Sequence, residues 1–101
     1  LPKLSEESIS GLENEIDQMT NELPELKSFI LPGRTVQDGQ CHIARCVCRR
    51  AERRVVELRD IKENSVDDIM VKYLNRLSDY LFVLARKISF DQGHSDLEWL
   101  P

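Results

Sequence analysis

The chain has 101 residues, of which 41% are hydrophobic and 32% charged, and its low Gly and Pro content excludes collagen-like, low-complexity and disordered proteins. No run of about 18 apolar residues is present, and the acidic start lacks the apolar stretch of a signal peptide. The net charge of −4 is unevenly distributed, because residues 41–59 carry six Arg and two Glu between two acidic regions. This block of Arg predicts a local anion site rather than a nucleic-acid-binding surface.

The first predicted helix begins after Ser5, a favourable N-cap residue, and its apolar residues from Ile9 to Leu23 recur every three or four positions. Pro24 is expected to kink this helix or to open a short second one. The Pro-Gly pair at positions 32–33 then predicts a loop.

The second predicted helix runs from about Thr35 or Asp38 to about Leu58 and has one apolar and one charged face. The charged face carries four residues at helical spacing: Arg45, Arg49, Glu52 and Arg53. Like charges four positions apart repel each other by a few tenths of a kcal/mol, so the row favours a bound polyanion. Glu52 is expected to orient Arg49 by an ion pair. Periodicity alone leaves open the alternative of a solvated face with surface ion pairs.

The third predicted helix starts near Ser65, and its apolar residues from Met70 to Ile88 follow a heptad-like pattern. A second stripe on this helix consists of Asn75, Asp79, Phe82 and Arg86. Its polar residues predict either a buried network that fixes helix register or a contact from Asn75 to a ligand across the bundle. Short connections of roughly 4 to 8 residues favour antiparallel neighbours. The predicted fold is therefore an all-α antiparallel bundle, whose modest core further helices or subunits would help to bury.

The three cysteines, Cys41, Cys46 and Cys48, cannot form the disulfide framework of a small secreted domain, and reduced thiols indicate a cytosol-like compartment. Together with His42 they point to different sides of one helix, so no metal site is predicted. Cys48 is expected to pack as a small core residue. The chain also lacks a Gly-rich phosphate loop and a hydrolase motif, so its residues alone do not predict an enzyme.

Three sequence blocks in one order resemble the trimeric five-helix-bundle family of ATP:cob(I)alamin adenosyltransferases: Phe29–Gly33 (F-I-L-P-G), Arg49–Arg53 (R-R-A-E-R) and Asn75–Asp79 (N-R-L-S-D). The resemblance covers essentially the whole chain and implies the C-terminal part of such a protein, residues 1–101 forming three of the five helices. It implies transfer of the 5′-deoxyadenosyl group of ATP to the cobalt of a reduced corrinoid such as cobalamin, with release of triphosphate. The family's Thr- and Gly-rich N-terminal phosphate loop has no counterpart here, so this chain alone is expected to be inactive.

The resemblance also implies roles for individual residues. The implied ATP-binding residues are Arg49, Arg50, Ala51, Glu52, Arg53 and Asn75, with Mg²⁺ bridging the phosphates. Arg45 and Arg49 are the implied catalytic residues, and Arg45 would pair with a carboxylate of a neighbouring subunit. Phe29 and Trp99 are the implied corrinoid-binding residues, although from pattern alone Phe29 is a core aromatic and Trp99 docks onto the bundle.

The implied protein is a cytoplasmic homotrimer, or a mitochondrial-matrix one if its source is eukaryotic. Its active sites would lie between subunits, and a cobalamin reductase is a candidate partner. Neither nucleic acid nor membrane is expected to bind. A non-catalytic helical assembly module derived from the same family is the alternative function. A nucleic-acid-binding helix is disfavoured, because no exposed aromatics lie between the Arg residues.

Overall fold

The computed structural model describes residues 4–26, 35–62 and 68–94, which form three helices: α1 (Glu6–Asn21), α2 (Val36–Ile61) and α3 (Asp68–Asp91). Both α1 and α2 pack against α3. α2 and α3 are antiparallel, because Arg59 at the end of α2 pairs with Asp68 at the start of α3. The predicted all-α helical bundle is confirmed.

α1 begins after Ser5 as predicted, and the Ser5 amide donates a hydrogen bond to Ser8 Oγ at 3.4 Å. The prediction that the helix continues to Leu23 is wrong, because it ends at Asn21. The physical reason is Pro24, whose ring disfavours helical backbone at the residue before it. Residues 22–26, which follow α1, are not helical, and residues 27–34 lie outside the described ranges.

A capping box fixes the start of α2 at the predicted Thr35. The Thr35 amide donates to Asp38 Oδ2, and the Asp38 amide donates to Thr35 Oγ1, both at 3.1 Å. α2 continues to Ile61, about one turn beyond its predicted end. The predicted start of α3 at Ser65 lies outside the described residues. α3 ends where Gly93 adopts a φ of +87°, a left-handed conformation that Gly accepts without steric cost.

The most buried residues of α3 are small or polar rather than large and apolar: Ser78, Val83, Ala85, Arg86 and Ser89. The predicted core seam from Met70 to Ile88 is only partly buried, and Met70 itself is exposed. The apolar seam predicted the wrong buried positions, because α1 and α2 pack against the side of α3 next to the seam. There Arg86 donates a hydrogen bond from its guanidinium to the Pro24 carbonyl at 2.9 Å.

The apolar face predicted for α2 is largely exposed in the described part of the chain. Ile43, Val47 and Leu58 are 67%, 50% and 48% exposed, whereas Cys48 is buried. α2 meets α3 through Cys48 and the charged residues beside it. This orientation turns the charged face toward the gap between α2 and α3 and forms the site described below.

Within these three ranges, no helix combines the length and the apolar character that crossing a bilayer requires.

Candidate functional site

A cleft of about 570 Å³ lies between α2 and α3. Its lining consists of Arg45, Arg49, Glu52, Arg53, Val56, Glu57, Asn75, Ser78 and Asp79. The helical repeat of 3.6 residues places the three Arg of α2 one above another along one wall. The structure thus brings together five residues that the sequence and the resemblance selected, four from α2 and Asn75 from α3.

The carboxylates of the cleft are occupied by other partners. Asn75 Nδ2 donates a hydrogen bond to Glu52 Oε2 at 3.3 Å. Asp79 accepts a charged hydrogen bond from Arg76 at 2.9 Å, and Glu57 accepts one from Arg54 at 3.1 Å. Each acid is therefore oriented by a residue that does not belong to the Arg row.

Arg49 and Arg53 form no ion pair with any residue in the described ranges. The expected ion pair between Glu52 and Arg49 is absent there, because Asn75 engages the Glu52 carboxylate from α3 instead. Both residues are exposed in the cleft, and no described residue accepts a hydrogen bond from either guanidinium. An anion is the complementary ligand for two such neighbouring guanidinium groups.

Arg45 is held differently from the other two Arg of the row. Its Cζ lies 5.0 Å from the centroid of the Phe82 ring, and its buried Nε has no hydrogen-bond partner among the described residues. The His42 ring meets Phe82 edge-on, with centroids 6.3 Å apart and planes at 69°. Burial lowers the pKa of His42; nearby Arg45 lowers it further, and Asp38 partly opposes both. The resemblance implies a carboxylate partner for Arg45 from a neighbouring subunit, which stays a prediction.

The cysteines are separated as the helical wheel predicted. Cys48 is buried as expected, and its thiol donates to the Leu74 carbonyl at 3.2 Å. Burial raises the pKa of Cys48, and Glu52 raises it further, so the thiol stays protonated near neutral pH. Cys46 is exposed on another side of α2. Among the described residues, no group of three or more His, Cys, Asp or Glu side chains is arranged to hold a metal ion.

The donor set of the cleft nevertheless fits a Mg²⁺ ion that arrives with phosphates. Mg²⁺ retains several waters and takes only one or two protein carboxylates when a polyphosphate supplies the other oxygens. Glu52, Glu57 and Asp79 place carboxylate oxygens along the same cleft as the Arg row.

Two of the expected site residues lie elsewhere, and two others are not described by the structure. Arg50 and Ala51 do not line the cleft, because they follow Arg49 by about 100° and 200° around the helix and so leave the face that carries the Arg row. Phe29 and Trp99 lie outside the described residues.

Four residues that line the cleft were missed in the sequence as site residues: Val56, Glu57, Ser78 and Asp79. Asp79 was recognised in the second stripe of α3 but was given no role at a site. Ser78 is a buried hydroxyl within an apolar helix, and this break in the pattern was an available signal. Glu57 lies four positions after Arg53 and extends the charged face by one turn. Val56 gave no signal, because an aliphatic residue is expected in any helix.

Comparison with known proteins agrees with the resemblance. A sequence model of the family described as cobalamin adenosyltransferase matches residues 1–88. The corrinoid adenosyltransferase of Bacillus subtilis is 50% identical over 97 residues, covering 96% of this chain and 49% of that protein. The human corrinoid adenosyltransferase MMAB is 47% identical over 88 residues, covering 87% of this chain and 34% of that protein. The chain thus spans about half, or less, of the length of these relatives.

The fold leads to the same family. A variant of the PduO-type ATP:corrinoid adenosyltransferase from Lactobacillus reuteri, solved in complex with cobalamin and ATP, matches with a TM-score of 0.88 and 35% identity. The match covers 97% of this chain and 52% of that one. Another variant of the same enzyme, complexed with ATP, matches with the same TM-score over 98% of this chain. On both sequence and structure, the chain belongs to the cobalamin adenosyltransferase family.

Proposed function

We propose that this protein transfers the 5′-deoxyadenosyl group of ATP to the cobalt of a reduced corrinoid and releases triphosphate. The observation that carries the proposal is that Arg49 and Arg53 have no ion-pair partner in the described part of the chain, in a cleft whose acids are held by other residues. The relatives of this chain are named for the same reaction, and a solved relative binds cobalamin and ATP.

The charge arrangement suits a polyphosphate. Three Arg line the cleft, and with Arg54 and Arg76 beside it the net charge is positive despite the three carboxylates of the lining. Their engagement by Asn75, Arg76 and Arg54 leaves the guanidinium donors available. Arg is suited to this role because its planar fork can donate two parallel hydrogen bonds to one phosphate.

The proposed chemistry requires no nucleophile from the protein, because Co(I) is itself strongly nucleophilic. A bond forms between cobalt and C5′, the C5′–O bond breaks, and its electron pair leaves with the triphosphate, so that cobalt is formally oxidised from Co(I) to Co(III). Arg49 and Arg53 stabilise the negative charge that accumulates on the leaving group. Glu52, Glu57 and Asp79 would hold a Mg²⁺ ion beside the phosphates, where it would neutralise further negative charge.

The remaining assignments rest on the resemblance. Phe29 and Trp99 would contact the corrinoid, and Phe29 would keep the lower axial base from cobalt. Arg50 and Ala51 would contact ATP only where it extends beyond the cleft. The protein is proposed to be a homotrimer, in the cytoplasm or the mitochondrial matrix, with Arg45 paired across the subunit boundary. A cobalamin reductase would supply the reduced substrate.

The test uses the full-length protein with chemically reduced cob(I)alamin and MgATP. Formation of the cobalt–carbon bond is followed by visible absorbance, and triphosphate release is measured in the same samples. Equal amounts of adenosylcobalamin and triphosphate are expected. Binding of inorganic triphosphate is measured separately by calorimetry. If the protein forms its oligomer but binds neither ATP nor triphosphate, the proposal is wrong and the alternative of a non-catalytic assembly module stands.

A further inference from the structure

One contact beside the cleft has no role in the function proposed above. Phe82 belongs to the second stripe of α3 that was recognised in the sequence, and its ring lies against Arg45 of α2. The Arg45 Cζ is 5.0 Å from the ring centroid, within the distance at which a guanidinium is attracted to the face of an aromatic ring. His42 meets the same ring edge-on from α2 and supports it from the side.

Arg45 has no other directional contact among the described residues. Its Nε is buried and has no hydrogen-bond partner, and it forms no ion pair there. Asp79 and Glu52, two acids of the same cleft, are engaged by Arg76 and Asn75. A long side chain with several rotatable bonds would otherwise sample many rotamers. Within the described part of this chain, the Phe82 ring is therefore the group that restrains the Arg45 guanidinium.

We propose that Phe82 is a positioning residue for Arg45, holding its guanidinium at one end of the cleft through the face of the ring. The face of the ring restrains the guanidinium, while its N–H donors, which lie in the guanidinium plane, stay available to an anionic ligand or to the carboxylate of a neighbouring subunit. The consequence for ligand binding rests on the proposed function, whereas the positioning of Arg45 does not.

The test compares three changes at position 82 in the full-length protein. Phe82→Leu keeps an apolar side chain but removes the ring. Phe82→Tyr keeps the aromatic face. Incorporation of 3,4,5-trifluorophenylalanine keeps the shape of the ring but depletes its face of electron density. The matched control is Phe90→Leu, because Phe90 is an exposed aromatic of the same helix whose ring lies 6.0 Å from Lys87 Nζ.

Two measurements are made on each protein. The first is the ¹⁵N NMR resonance of the Arg45 Nε–H group, assigned by its loss in Arg45→Lys, together with its rate of hydrogen exchange. The second is the Kd of inorganic triphosphate by calorimetry. Phe82→Leu and the fluorinated ring should speed exchange of Nε–H and move its resonance. They should weaken triphosphate binding by about 3- to 30-fold, the range expected for a partly desolvated cation–π contact. Phe82→Tyr and Phe90→Leu should match the unmodified protein in both.

The outcomes separate the two proposals. If the fluorinated ring leaves both the Nε–H exchange rate and the Kd unchanged, Phe82 does not position Arg45, whatever becomes of Phe82→Leu. The fluorinated variant keeps this conclusion available if loss of the ring unfolds the protein. If the unmodified protein fails to bind triphosphate, the proposed function fails, and the NMR measurement still decides whether Phe82 positions Arg45.

Discussion

Replacing Arg49 with Lys tests the polyphosphate site at its centre. Arg49 lies between Arg45 and Arg53 on the wall of the cleft and has no protein partner among the described residues. Lys preserves the positive charge and most of the aliphatic stem, but it replaces a planar fork of donors with a single ammonium group. The substitution therefore changes the geometry of phosphate recognition and leaves the net charge of the cleft unaltered.

The expected loss follows from the hydrogen bonds that Lys cannot reproduce. One charge-assisted hydrogen bond contributes about 1.5–3 kcal/mol, which corresponds to a factor of about 10 to 150 in affinity or rate. We expect Arg49→Lys to lower kcat/KM for ATP by this factor. The Kd of inorganic triphosphate should rise by a smaller factor, since charge on the leaving group is greatest in the transition state. The free energy of unfolding should not change, because Arg49 is exposed and makes no structural contact in the described part.

The assay follows adenosylcobalamin formation over a range of ATP concentrations and compares Arg49→Lys with Arg54→Lys. Arg54 is a suitable control because it lies on α2, is 74% exposed and pairs with Glu57, so Lys can retain its ion pair. Arg54→Lys should leave kcat/KM within twofold of the unmodified protein, a threshold of about 0.4 kcal/mol. Equal effects of the two substitutions would refute the argument, because they would show that only the total charge of the helix matters.

Three further predictions concern stability. Arg86→Met should lower the free energy of unfolding in urea by about 1.5–3 kcal/mol, because the buried guanidinium donates to the Pro24 carbonyl at 2.9 Å; a loss below about 0.5 kcal/mol would contradict this role. Ala85→Leu should cost about 1–3 kcal/mol, because Ala85 is 1% exposed between packed helices and extra volume forces them apart; an unchanged urea midpoint would show that the interface has room. Burial lowers the pKa of His42 in the folded protein, so the unfolded chain binds a proton at this residue more readily. The free energy of unfolding should therefore decrease as pH falls below about 6.5, the ordinary pKa of His. Urea titrations at several pH values should show this loss, and His42→Gln should reduce the slope; identical slopes would exclude the contribution.

Local signals in the sequence placed the starts of α1 and α2. Ser5 was identified as an N-cap residue and Thr35 as one of two candidate starts of the second helix, and both occupy the N-cap position in the structure. Such signals are reliable because a cap depends on the amides of the next three residues and on nothing distant. The end of α1 was predicted too far along the chain. Leu23 fits the apolar repeat, but the ring of Pro24 disfavours helical backbone at Leu23.

The buried face of α3 could not be predicted from its own periodicity. An apolar seam identifies the side of a helix that prefers burial, but the position of the neighbouring helices decides which side is buried. In the described part, the most closely packed positions are Ser78, Ala85 and Ser89, where small side chains allow another helix to approach. Arg86 lies among them because its guanidinium reaches a backbone carbonyl. Polar and small residues of this kind contribute nothing to a hydrophobic repeat, so the repeat does not identify them as buried.

The site illustrates the same division between local and distant information. The spacing of the Arg residues predicted one wall of the cleft, because that spacing follows from a single helix. The opposite wall depends on the register between α2 and α3, and three contacts repeat in steps of seven residues along both helices: Arg45–Phe82, Glu52–Asn75 and Arg59–Asp68. Seven residues are two helical turns, so these pairs lie in successive layers of one antiparallel interface. Any one pair, once known, fixes the other two. The sequence alone leaves the first pair undetermined, and so it predicted an Arg49–Glu52 ion pair within α2 where the register supplies Asn75 from α3.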